Sequence, residues 1–165
     1  MLNAKITTTI NAQQSTKLDL TQPEADIAKT YSEQYSDGTG ADQAQLIFSD
    51  SRTATGSSSD NLDLAGSLVG ALGATLTFAA VKEIIVKNKS AANQLRVGKK
   101  IANGFAGPFD QTAGALGVIV EPNGLLHLRN PGAAGWPVTA ATADLLSIEN
   151  LGATTTDYDV ILIGK

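Results

Sequence analysis

The feature that most constrains this chain is a period of two in its apolar residues, interrupted at short intervals by turn residues. Residues 81–89 (VKEIIVKNK) are the clearest case: Ile84, Val86 and Asn88 fall on one side, Ile85, Lys87 and Lys89 on the other. Ile6, Thr8 and Ile10 repeat the pattern, with Leu18 and Leu20 following a polar run. So do Leu62 with Leu64, Leu76 with Phe78, Leu95 with Val97, Leu146 with Ile148, and Tyr158 with Val160 and Leu162. Successive side chains of a strand point to opposite faces, whereas a helix returns to one face every 3.6 residues, so this spacing predicts strands. Asp37-Gly38-Thr39-Gly40, the Ser-rich run 56–61, Pro122-Asn123-Gly124 and Asn150-Leu151-Gly152 supply the turns between them. Residues 66–73 have room for one helical turn, but their glycines oppose it.

Roughly nine or ten short strands divided by turn signals predict an all-β fold, a two-sheet β-sandwich of jelly-roll type. A parallel α/β fold is excluded because no strand is followed by an adequate helical stretch. Residues 116–129, folded back at Pro122-Asn123-Gly124, read as a hairpin. The texture changes near Gly40: the residues before it are polar and poor in large aliphatics. Residues 27–35 (IAKTYSEQY) read as an edge strand or arm. The expected organisation is an extended N-terminal arm, residues 1–25, followed by a jelly-roll domain, residues 26–165. The first forty residues together also fit a partly separate strand pair, ordered by a neighbour.

Charge and composition narrow the function. The formal net charge is −4 and the basic residues are scattered; the densest group is Lys82, Lys87 and Lys89, with Lys99 and Lys100 nearby. Binding to a phosphate backbone or an anionic bilayer needs clustered cations, so neither nucleic acid nor membrane is expected as a partner. Aromatic residues are 5%, which leaves few platforms for stacking bases or sugars. The absence of cysteine removes disulfides, thiolate metal sites and cysteine nucleophiles. No basic-then-apolar leader opens the chain and its longest apolar stretch is broken by Gly and Thr, so a soluble protein made in a cytoplasm is expected.

Candidate chemistry fails residue by residue. His127 is the one histidine and alternates with Leu126 and Leu128, which places it on the outward or rim side of a strand rather than in a relay. Asp157 and Asp159 share a strand face, and Asp60 and Asp63 bracket a turn, as a glycosidase or calcium site would require. The first pair lies opposite Tyr158, Val160 and Leu162, however, as an ordinary solvated face does. The Gly-rich segments lack the phosphate-loop spacing. No catalytic residue, metal site or cofactor is expected. What remains points to assembly: Ile85, Ile119, Leu125, Leu145, Ile161 and Ile163 fall opposite the main apolar set of their strands, as in strands covered on both faces. Phe105, Phe109 and Trp136 sit in Gly/Pro loops, either capping the core or anchoring a partner. The candidate interface is Ile6, Ile10, Leu18, Leu20, Ile85, Phe105, Phe109 and Trp136.

The segments LDLAGSL (62–68), GATLTF (73–78), VKEIIV (81–86), NGFAGPF (103–109), GWPVTA (135–140) and YDVILIG (158–164), with the Pro122-Asn123-Gly124 turn, resemble small virion proteins of tailed bacteriophages. The resemblance runs in order over roughly residues 27–165 and rests on turns and core, so it transfers no functional residue. It implies a jelly-roll structural protein of the virion. The expected role is capsid decoration or cement, as a homotrimer bound to the major capsid protein, with the N-terminal arm as docking element. The alternative is a spike or tail module that recognises a cell-surface glycan.

Overall fold

The computed structural model of the chain describes residues 1–98, 101–112 and 116–165. Lys99 and Lys100 of the basic group, and the end of the Gly-rich connection near Gly114, lie outside the described residues. The alternating segments become strands, and no described residue is helical. In chain order these are β1 (Ala4–Ser15), β2 (Glu24–Asp37), β3 (Gln43–Ala44), β4 (Leu46–Ala54), β5 (Ser59–Asp63), β6 (Leu68–Val69) and β7 (Thr75–Leu76). They continue as β8 (Ala80–Asn88), β9 (Leu95–Val97), β10 (Val118–Val120), β11 (Leu125–Arg129), β12 (Trp136–Pro137), β13 (Leu145–Asn150) and β14 (Thr156–Gly164). The all-β expectation holds.

Two antiparallel sheets make the body. One runs β11-β8-β14-β4, with β12 also paired to β8; the other runs β10-β9-β13-β5. The alternation in the sequence decides what each sheet buries. Phe48, Ile84, Val86, Tyr158, Val160 and Leu162 of the first meet Leu62, Leu95, Val97, Leu146 and Ile148 of the second in one buried cluster. Phe78 and Leu68, from the β6–β7 region, join it.

Phe105 and Phe109 are also in that cluster, so of their two readings they take the core-capping one. Gly98 and Gly107 explain how. Both have positive φ, and a Cβ at either would fall on the ring of Phe109 or Phe105, so the glycines make room for the caps. Trp136, paired with Val81, is half-buried and packs on the same cluster.

One sequence expectation fails. Residues 116–129 are not a hairpin: β10 pairs with β9 in one sheet and β11 with β8 in the other. The Pro122-Asn123-Gly124 signal does mark a tight reversal, with Asn123 in the left-handed region. But the buried Asn88 side chain donates to the carbonyls of Val120 and Glu121, and the backbone N–H of Asn88 donates to Gly124. These bonds hold the turn as a corner between sheets. Turn chemistry fixes the local bend and is silent on which partner each strand then takes.

Candidate assembly surface

The N-terminal strands stand apart from this body. β1 and β2 pair antiparallel in an unbroken register from Ala4↔Tyr35 to Ser15↔Glu24. Thr16 and Pro23 close the reversal, with Leu18 donating to Thr21 inside it. β2 is joined to the short β3, in parallel, at Ser36 and Asp37, while the outer edge of β1 carries no strand among the described residues.

The register sorts the side chains. On one face lie Ala4, Ile6, Thr8, Ile10, Ala12 and Gln14, opposite Tyr35, Glu33, Tyr31, Lys29, Ile27 and Ala25. On the other lie Lys5, Thr7, Thr9, Asn11, Gln13 and Ser15, opposite Gln34, Ser32, Thr30, Ala28, Asp26 and Glu24. Every large apolar residue of the hairpin is therefore on a single face. The tip holds Leu18 and Leu20, both exposed.

Among the described residues, cover is found at the root of the apolar face. Tyr35 is fully buried with Ala44 and Ile163, and Leu2, Ala4, Ile6 and Ile161 pack against them. This accounts for two of the residues on the outward side of β14. The root is also locked by charge. The Tyr35 hydroxyl donates to Oε2 of Glu83 at 2.7 Å, and Glu83 is itself fully buried. His127 Nε2 contacts the other oxygen of that carboxylate. Arg129 lies 5.3 Å from the centre of the Tyr35 ring and reaches Glu33 at 3.0 Å, Asp42 at 2.8 Å and Glu83 at 3.8 Å. Burial, followed by the Glu83 carboxylate, holds the Tyr35 hydroxyl far above its ordinary pKa, so it remains a donor. Lys82, buried where the β8–β14 register slips, donates from Nζ to the carbonyl of Gln43 at 2.7 Å and to that of Gly40.

Beyond the root the apolar face is open. Ile10 is 46% exposed, Tyr31 53% and Ile27 59%. Ile161, packed at the root, and Ile85, its partner across the β8–β14 pair, are half-buried on the outward side of the five-stranded sheet. Ile6, Ile10, Leu18 and Leu20 thus lie on the hairpin and Ile85 on the outward side of the body sheet, whereas Phe105, Phe109 and Trp136 belong to the body. Sequence reasoning missed Ile27, Tyr31, Tyr35, Glu83 and Arg129. Ile27, Tyr31 and Tyr35 were spaced for a helix as much as for a strand. Folding residues 4–15 back on 24–37 around the polar 16–23 would have put all three on one face with Ile6 and Ile10.

Asp60, Asp63, Asp157 and Asp159, the carboxylates spaced for a glycosidase or calcium site, are engaged in structure. Asp60 accepts from Nε of Arg52 at 2.7 Å and Nη2 at 3.0 Å, and from the Tyr158 hydroxyl at 2.7 Å. Asp63 accepts from the N–H of Ala65, Asp157 from the hydroxyl of Thr53, and Asp159 from Nζ of Lys89. Among the described residues no group of three or more His, Cys, Asp or Glu is placed to hold a metal ion.

Burial pushes the Asp60 carboxyl up, but Arg52 and Tyr158 outweigh it and the pKa is lowered. An unfolded aspartate titrates near 3.9. The stabilisation is therefore present above that pH and lost as the pH falls toward the lower folded value. Asp60→Asn should lower stability at pH 7 by about 1–2 kcal/mol. It should also flatten the acid limb when urea midpoints are followed from neutral to acidic pH; an unchanged acid limb would refute this assignment.

Comparison with protein-family models, with curated proteins and with solved structures finds no match to this chain.

Proposed function

We propose that this chain is a structural protein of a bacteriophage virion, a jelly-roll decoration or cement protein. In this reading a homotrimer binds the major capsid protein and stabilises the shell. The observation that carries it is the hairpin: a long, one-sided apolar ribbon fixed at its root and otherwise uncovered, on a body whose examined charged groups are bound up in structural contacts.

The jelly-roll reading rests on strand order. Taken as first to eighth in chain order, β4, β5, β8, β9, β10, β11, β13 and β14 form one sheet ordered 6-3-8-1 and another ordered 5-4-7-2. Neighbouring sheet positions are thus filled from the two ends of the chain and from its middle, as when a long antiparallel ribbon is rolled up. Such folds recur in viral capsid and lectin domains, and this part of the argument is an analogy of fold class. The β1–β2 hairpin takes the place of the extended N-terminal arm.

As a mechanism, each copy buries modest apolar area on the shell, and linkage within an oligomer multiplies the effect through effective concentration. The tip is the element that reaches the capsid, because Leu18 and Leu20 are exposed at the point farthest from the root. Leu18→Ser combined with Leu20→Ser should lower binding to decoration-free capsids at least ~10-fold, given the loss of two leucine side chains from the contact. Co-sedimentation measures this. Wild-type affinity in the double variant would sink the assignment of the tip.

A further inference from the structure

We propose that the open apolar face of the hairpin is a subunit interface, occupied by the same face of other copies of this chain. The inference rests on the homo-oligomer of the proposed function and deepens it, since it names the surface that joins the copies and separates it from the tip.

Three observations carry it. First, a two-stranded ribbon with one apolar and one polar face is marginal alone in water and needs a second layer. Here that layer is supplied only at the root, by Ile163, Ile161 and Ala44. Tyr31, Ile10 and Ile27 lie farther along the same face and have none.

Second, the area favours reciprocity. The nine pairs beyond the root, Thr7↔Ser32 to Ser15↔Glu24, make the open face about 30 Å long and 10 Å wide, or ~300 Å². A stable interface takes about 800 Å² from each partner, so one ribbon laid on a foreign surface supplies less than half of it. Around a closed symmetry axis the faces of all copies are buried together, and each copy is held by every neighbour at once.

Third, the chemistry suits self-packing. Ala12 follows Ile10 on this face of β1 and Ala25 precedes Ile27 on β2, so large residues of one ribbon can seat against small residues of the next. Lys29, the exposed charge on the face, sits on a ribbon only two strands wide and reaches solvent at its edge. The polar face, rich in Thr, Gln, Asn and Ser, is left outward.

The test uses the full chain at micromolar concentration in an analytical ultracentrifuge. The wild type should sediment as an oligomer, and Ile10→Lys combined with Ile27→Lys as a folded 17.0 kDa monomer. Self-association should weaken at least ~100-fold, from the loss of two buried isoleucines. Trp136 lies in the body, so unchanged tryptophan fluorescence verifies that the variant is folded. Because the chain has no cysteine, Ile10→Cys offers a second readout, and mild oxidation should link copies covalently. A monomeric wild type overturns the inference, as does a double variant that keeps the wild-type oligomer. If the wild type is monomeric yet binds decoration-free capsids, and the double variant does not, the face seats on the shell; the inference and the homotrimer fail, and the capsid-binding role stands. An oligomer that depends on the hairpin but ignores capsids overturns the proposed function alone.

Discussion

Arg129→Met should destabilise the chain by about 2–3 kcal/mol, a large effect for a residue whose side chain still reaches solvent. The reason is Glu83, a carboxylate with no exposure, facing Tyr35, His127 and Arg129. Removing the guanidinium leaves that charge buried beside a hydroxyl and an imidazole, and Glu33 and Asp42 lose their shared cation. The damage should be local as well as global. With Arg129 gone from Tyr35 and Glu33, protease sensitivity should rise first in residues 16–37. Glu83→Gln keeps an acceptor for Tyr35 and removes the buried charge, so adding it should recover about half of the loss, a non-additivity that a double-mutant cycle reads. Strictly additive losses would refute the coupling.

The other large effect lies in the body. Leu162 is fully buried near the middle of β14, paired with Ile84 on one side and Phe48 on the other. Leu162→Ala should cost about 3–4 kcal/mol, from lost transfer energy and from a cavity that strands hydrogen-bonded on both sides cannot collapse. Chemical denaturation should give a lower midpoint with an unchanged slope. A loss under about 1 kcal/mol would mean that the two sheets close over the gap.

Much of the body was legible because alternation is a local consequence of burying one face of a sheet. Residues 81–89 read as a strand from their spacing alone, and β8 spans Ala80–Asn88. The pairing was less legible. Pro122-Asn123-Gly124 looks the same whether the strands it joins stay in one sheet or separate, and here the long-range bonds of Asn88 accompany their separation. Charged groups hid for a similar reason. Glu83 sits in the alternation as an outward residue, and its burial follows from the hairpin root that covers it, far away in sequence. Two-sided apolar character was the most informative hint, since Ile163 is covered from outside by Tyr35.

The dependence of the hairpin root on Ile163 also orders events in time. The hairpin is joined by a short reversal and can zip up within microseconds. Its seat does not exist until the last strand has paired, because β14 lies between β8 and β4, which precede it by long stretches of chain. Such non-local pairing is the slow part of folding. During synthesis the ribbon leaves the ribosome before the body, yet it points nowhere fixed until β14 arrives. A chain that lacks β14 therefore carries the ribbon with no seat to fix its orientation.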